Sequence, residues 1–421
     1  MISIVVSYIM STHIMYYISP DLIFIDYCGK TLAYNVELNK AVIVNEKTKN
    51  ILQNGVGMGR QVKLENELLS SEELMQLKNG GALYSDTREY ENNKYSHRLI
   101  SRNPVVDIQD IYFHITQHCN LNCEYCYNKK NLGKSDKLST GEVNQALLQL
   151  KRSGAKKIIF TGGEPLLRND IIQIAEISQS LGFSNDLLTN GILLKEKIEI
   201  LEYVDNVIVS LDTLHEEENR RKGLDIPGLL CDLSEINKKY AGKIIIRSVL
   251  SSSNKNSWKE VEAFALRNGY KHKMTLYLPD SLEDVNKMID IESFEPAYDS
   301  EIMTYGGSLC GACYKRVAID SNGDIYPCQN LIKERYRIAN VKDAGWFELV
   351  KKSAITKCFM ELDVLKFEHC RECTYRYICG GGCRAIADNV YGTPDAYLQF
   401  FCPYLKKVAE GQLRELVVKY G

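Results

Sequence analysis

Between residues 111 and 279, short apolar runs alternate with stretches of helical spacing. The runs are IYFHIT (111–116), KIIFTGGEP (157–165), NDLLTNG (185–191), NVIVSLD (206–212), KIIIRSVL (243–250) and KMTLYLP (273–279). Between the later runs lie TGEVNQALLQLKR (140–152), DIIQIAEISQSL (170–181), LKEKIEILEYV (194–204), PGLLCDLSEINKKY (227–240) and SWKEVEAFALRNG (257–269), each read as a helix. Strands separated by helices are predicted to lie parallel, and nearly continuous apolar runs are predicted to be buried on both faces. The expected result is an α/β barrel, open or closed, with its chemistry in the loops at the C-terminal ends of the strands. The polar punctuation gathers in those loops: a cysteine loop after the first strand, then TGGEP, TNG and SLD.

The chain has 421 residues, enough for two or three domains, and 14 cysteines. So many thiols imply either an oxidised secreted scaffold or a reduced metal protein. The start, MISIVVSYIMSTHIMYY, lacks a basic n-region and a small-residue cleavage site, so no signal peptide is expected. Its apolar stretch is far short of the ~20 residues that span a bilayer, and Met10 or Met15 could be the true start. A cytoplasmic, metal-binding protein follows. The formal net charge of −2 gives no reason to expect nucleic acid, and no membrane partner is expected.

Cys119, Cys123 and Cys126 occupy the first loop, CNLNCEYC. Structural zinc usually takes four ligands in two close pairs. Here there are three, and His114 and His118 are awkwardly placed to complete the set. Three thiolates suit a [4Fe–4S] cubane with one iron left open, although zinc remains an alternative for any single cysteine group. Eight more cysteines form a spaced pattern: Cys310 and Cys313, then Gly323-x4-Cys328, then Cys370-x2-Cys373-x5-Cys379-x3-Cys383, and Cys402. Eight thiols suffice for two four-thiolate sites, iron–sulfur or zinc. Cys28, Cys231 and Cys358 stand apart and read as buried apolar thiols, with Cys358 a candidate spare ligand.

Cys-x3-Cys-x-aromatic-Cys, with Tyr125 as the aromatic, resembles the signature of the radical S-adenosylmethionine (SAM) superfamily. The resemblance implies a partial (β/α)6 TIM-like barrel whose first cluster binds SAM at its open iron. The GGEP segment (Gly162, Gly163, Glu164, Pro165) resembles the motif that holds the methionine amino group. Glycine lets backbone approach a ligand closely, and a carboxylate complements an ammonium. Ser210 and Asp212 resemble the ribose-contacting position, and Arg247 is a candidate for the SAM carboxylate. The C-terminal cysteines resemble the SPASM extension of peptide-modifying members. That resemblance implies two auxiliary [4Fe–4S] clusters with interleaved ligands: Cys310, Cys313, Cys328 and Cys383 for one, Cys370, Cys373, Cys379 and Cys402 for the other. With the first cluster, that makes three [4Fe–4S] clusters.

Ahead of the barrel, residues 22–54 read as two or three short strands followed by a helix beginning near Asn45. LSSEELMQL (69–77) has a capping-box start, and residues 84–103 read as a polar linker. The first of these stretches resembles the winged-helix-like domain that binds leader peptides. The expected domains are therefore 18–95 (leader recognition), 105–290 (radical SAM partial barrel) and 296–421 (SPASM with a C-terminal helix). Such a protein would abstract hydrogen from a ribosomally made precursor peptide and install a thioether or carbon–carbon crosslink. It would draw electrons from a flavodoxin- or ferredoxin-like donor. A formylglycine-generating sulfatase maturase is the second reading. That branch carries an Asp base directly after the cysteine matching Cys328, where this chain has Gln329. A non-catalytic iron–sulfur scaffold is the third, against which GGEP and the three-cysteine loop argue. No catalytic base can be picked from the sequence.

Overall fold

A computed structural model of the chain describes residues 16–19, 22–35, 40–56, 69–84, 106–295 and 309–420. Residues 1–15 of the apolar N-terminal stretch, with Met10 and Met15, and residues 85–103 of the expected linker lie outside the described residues. The chain divides into two compact units: Val105–Gly411, and Met1–Pro104 with Gln412–Gly421.

In the larger unit, six parallel strands lie side by side in chain order. They are β1 (Asp110–Thr116), β2 (Lys157–Gly162), β3 (Ser184–Thr189), β4 (Asn206–Ser210), β5 (Ile244–Leu250) and β6 (Lys271–Leu276). Alternate residues point to opposite faces of a strand. Ile111, Phe113, Ile158, Phe160, Leu187, Val207, Val209, Ile244 and Ile246 form one core with the apolar faces of helices Thr140–Arg152, Ile171–Ser180 and Ile226–Lys239. Tyr112, His114, Thr116, Thr161, Ser210 and Arg247 alternate with these and so face the other side. The helices start where the sequence places them. Ser139 and Glu142 form a capping box, and Asp225 caps the helix that begins with Ile226 and Pro227.

The expected helix over 194–204 is instead a run of turns ending in a 3-10 segment, Ile198–Glu202. Leu194, Ile200, Leu201 and Val204 are buried, so the apolar spacing marked burial correctly. Tertiary partners decide the backbone: Lys195 pairs with Asp232 and Glu235, and Lys197 Nζ donates to the Arg168 carbonyl.

The sheet stays open, with β6 at one edge. Beyond β1 it continues into Arg316–Ile319, parallel to β1, then Asp324–Tyr326 and Ala339–Asn340, both antiparallel to their neighbours. The cysteine-rich part therefore begins as an extension of the barrel sheet. The hairpin turns at Asn322–Gly323, where the Asp320 carboxylate accepts from the Asn322 and Asp324 amides at 2.9 Å. A second core gathers Met274, Phe294, Phe401 and Leu405 behind the C-terminal cysteines.

The smaller unit holds a three-stranded antiparallel sheet, Leu22–Tyr27, Lys30–Asn35 and Lys40–Val44. Helix Glu46–Val56 follows, and Asn45 Oδ1 accepts from the Thr48 amide at its start. Helix Ser71–Asn79 opens with a Ser70–Glu73 capping box. Among the described residues no helix is long and apolar enough to cross a membrane.

Candidate active site

The cysteine loop leaves β1 at Thr116 and is tied at its base by Asp136. This carboxylate accepts from Thr116 Oγ1 at 2.5 Å and from the Gln117 amide at 2.8 Å. Within the loop, Asn122–Cys123 pairs antiparallel with Arg221–Lys222. All 14 cysteines are free thiols. Cys119, Cys123 and Cys126 are half-buried, and the Cys126 thiol has both of the others as charged-state neighbours. Burial pushes all three thiols up, Cys126 to about 11. A bound polycation reverses that, because a coordinating thiol is deprotonated.

The GGEP loop after β2 closes directly on the cysteine loop. The Gly163 amide donates to the Thr116 carbonyl at 2.8 Å, and the Glu164 amide to the His118 carbonyl at 2.7 Å. A Cβ on Gly162, whose φ is +136°, would sit 2.2 Å from the Thr116 oxygen. One on Gly163 would sit 2.1 Å from the His118 oxygen. Both glycines are thus required for loop-on-loop packing, a different reason from the ligand approach expected above. Pro165 opens a short 3-10 turn, Pro165–Leu167, behind them.

Glu164 is 1% exposed. Its Oε1 accepts from Thr189 Oγ1 at 2.7 Å and the Leu166 amide at 3.0 Å, and its Oε2 from the Asn190 amide at 2.8 Å. Burial raises its pKa against these hydrogen bonds. The carboxylate therefore pins the TNG loop to GGEP, and Asn190 Nδ2 carries the link on to Asn120 Oδ1 at 2.8 Å. Glu164→Gln would set an amide donor against one of these amides. We expect it to lower unfolding free energy by about 2 kcal/mol, measured by denaturant titration.

Asp212, beyond β4, is 7% exposed. It accepts from Arg221 Nε at 2.7 Å and from the Val249 amide at 2.7 Å. Arg221 then reaches Cys123, with Nη1 3.9 Å from Sγ, and lies over the Tyr125 ring, 5.4 Å from its centre. The Tyr125 hydroxyl is buried with no hydrogen-bond partner among the described residues. Arg221 was not singled out from the sequence: it is 98 residues from Cys123, and no local spacing marks it. Ser210 and Arg247 lie opposite each other in the register of β4 and β5. On the same face of the sheet, on β1, His114 is fully buried with both ring nitrogens unpartnered among the described residues, and desolvation holds its pKa down at about 3.

The C-terminal cysteines gather in two places. The Cys328 thiol has Cys310 and Cys383 as neighbours. The Cys379 thiol has Cys370, Cys373 and Cys402. Cys313 is buried with Cys310 as a charged neighbour and Thr356 as a hydrogen-bond partner of its thiol. Among the described residues, no three Cys, His, Asp or Glu side chains converge to hold a single metal ion. The loop between Cys379 and Cys383 makes the switch from one group to the other: Gly380, Gly381 and Gly382 all have positive φ, at 63°, 79° and 85°. Buried Asp388 ties the helix after Cys383 to the segment after Cys328, accepting from Lys333 Nζ at 2.6 Å and from Arg335 Nη2 and Tyr336 Oη at 2.5 Å. Contrary to the expectation of burial, Cys28, Cys231 and Cys358 are exposed. Cys28 sits at a hairpin tip with φ +48°. Cys231 and Cys358 lie off the buried faces of their helices, Ile226–Lys239 and Ala354–Glu361.

An open parallel sheet with a three-cysteine loop at its first strand end, extended into a cysteine-rich domain, defines a class. Residues 113–247 match the family model described as the radical SAM superfamily. Residues 310–374 match SPASM, described as an iron–sulfur cluster-binding domain. The chain therefore carries a radical SAM domain and a SPASM domain. It is 22% identical to the cysteine-type anaerobic sulfatase-maturating enzyme of Clostridium perfringens over 352 residues, 71% of this chain and 94% of that protein. It is 26% identical to the PqqA peptide cyclase of Gluconobacter oxydans over 315 residues, 66% of this chain and 86% of that one. Among solved structures it resembles Streptococcus suis SuiB bound to its precursor peptide SuiA. That likeness has a TM-score of 0.58 at 18% identity, covering 91% of this chain and 98% of that one.

Proposed function

We propose that this chain is a radical SAM/SPASM maturase that crosslinks a ribosomally made precursor peptide. The observation that carries this reading is the direct backbone closure of GGEP on a loop presenting three thiols. Cys119, Cys123 and Cys126 would hold the first [4Fe–4S] cluster, whose open iron takes SAM. Bound together, cluster and SAM supply one-electron cleavage of the sulfonium and a carbon radical that removes a hydrogen atom from the substrate. This chain's residues arrange the site. Tyr125 and Arg221 cover the loop, Ser210 and Arg247 border the SAM position, and Asp212 and Glu164 hold Arg221 and the TNG loop in place. A cubane binds each thiolate to a different iron, so it needs neighbouring thiols rather than convergence on one point. On this reading the two C-terminal groups would each hold a cluster, three in all, with Cys310, Cys313, Cys328 and Cys383 in one and Cys370, Cys373, Cys379 and Cys402 in the other.

A peptide substrate is supported by the likeness to SuiB with SuiA and to the PqqA peptide cyclase. In the smaller unit, Leu22–Tyr27 and Lys40–Val44 are the outer strands of their sheet. A leader peptide would add to such an edge through main-chain hydrogen bonds. Crosslinking is preferred over formylglycine formation because Gln329 cannot take up a proton as an Asp base would. We place the enzyme in the cytoplasm, drawing electrons from a flavodoxin- or ferredoxin-like donor. Anaerobic incubation with SAM and a strong reductant tests the chemistry. We expect 5′-deoxyadenosine from a protein holding about twelve irons per chain, and Cys126→Ala to abolish that product and lower iron to about eight. Full product from Cys126→Ala would refute the assignment of the first cluster.

A further inference from the structure

Arg384 follows Cys383 directly, and it is 2% exposed. Among the described residues no carboxylate pairs with it. Its guanidinium donates instead to four carbonyls: Gly381, Gly382 at 3.4 Å, Pro394 at 3.1 Å and Ala396 at 3.3 Å. It also stacks on the Phe367 ring, 4.6 Å from its centre. Carbonyl dipoles and a ring face satisfy the hydrogen-bonding fork but leave the charge itself uncompensated. A buried cation without a counter-charge is expensive. Gly381 and Gly382 lie between Cys379, in one thiol group, and Cys383, in the other. Phe367 lies three residues before Cys370.

We propose that Arg384 is the shared counter-cation of the two C-terminal clusters, holding both reduction potentials up. This rests on the proposed cluster ligands. A four-thiolate cubane carries net negative charge, and its potential depends on nearby charge and hydrogen bonds. A fixed cation favours the more negative, reduced state of each cluster, so both clusters accept an electron from the external donor more readily.

The test is an EPR-monitored redox titration of the reconstituted full-length protein with Arg384 replaced by Gln or by Lys. Gln keeps donors without charge; Lys keeps charge without the planar fork. At the potential where the wild-type auxiliary clusters are half reduced, Arg384→Gln is expected to lower the ratio of reduced to oxidised cluster about tenfold, or ~59 mV for one electron. Arg384→Lys should stay within about twofold, and the first cluster should titrate unchanged in both. Auxiliary irons lost from the Gln variant but kept by the Lys variant would equally support the charge role. Unchanged potentials in the Gln variant, or equal iron loss in both, would overturn it in favour of a purely structural strut. A wild-type protein holding only about four irons would instead refute the auxiliary-cluster reading itself.

Discussion

Replacing Gly163 with Ala is expected to abolish 5′-deoxyadenosine formation and to strip the first cysteine loop of its irons. The new methyl would lie 2.1 Å from the His118 oxygen and 2.6 Å from its carbonyl carbon. Those are main-chain atoms, one residue before Cys119, and no rotamer change relieves the clash. Either the GGEP loop lifts, breaking the Gly163–Thr116 and Glu164–His118 hydrogen bonds, or the cysteine loop moves. Overpacking of this kind costs about 1–3 kcal/mol, and the lost hydrogen bonds add about 1 kcal/mol each. Iron per chain should fall by about four, with the C-terminal clusters retained. Gly141→Ala is the control. Gly141 is exposed near the start of helix Thr140–Arg152 with open space around it, so alanine there should leave iron and product unchanged. Full iron and wild-type product in the Gly163→Ala variant would mean that the two loops do not need this contact.

The parallel architecture was legible because both signals it needs are local: apolar runs of strand length and stretches of helical spacing between them, as in the helix Thr140–Arg152. Spacing and resemblance singled out the three-cysteine loop and the eight later cysteines. The glycines of GGEP could be recognised, but not the surface they pack against, since Thr116 and His118 reach them only through the β1–β2 pairing. Arg221 and Asp136 escaped notice for the same reason. Each acts on the cysteine loop from outside it, Arg221 from 98 residues beyond Cys123, and a lone Arg or Asp carries no periodic signal. The segment 194–204 shows the opposite failure. Its apolar spacing was read as a helix, while tertiary bonds of Lys195 and Lys197 set a turn. Cys28, Cys231 and Cys358 were misread because a thiol's usual preference for burial says nothing about which helix face or turn tip it occupies.

Asp212→Ala is expected to cost the first loop its irons as well, through Arg221. The Asp212 and Arg221 side chains are only 8% and 11% exposed, and removing one partner of a buried pair costs about 3–5 kcal/mol. Arg221 would then be a buried cation without its carboxylate. It would leave Cys123 and Tyr125, and Arg221–Lys222 would unpair from Asn122–Cys123. Asp212→Asn keeps an acceptor for the Val249 amide but loses the charge, so it should fall between wild type and alanine. The ribose-contact expectation for Asp212 makes a different forecast. A side chain that served only to bind SAM would leave iron at the wild-type level and raise only the SAM concentration needed for half-maximal product. The rate at which a chelator strips iron from the first loop separates the two. We expect it to rise at least tenfold in Asp212→Ala, equivalent to about 1.4 kcal/mol. Pairing that change with Arg221→Met should add little further, since both act through one contact. Independent, multiplying effects would show that Asp212 does not work through Arg221.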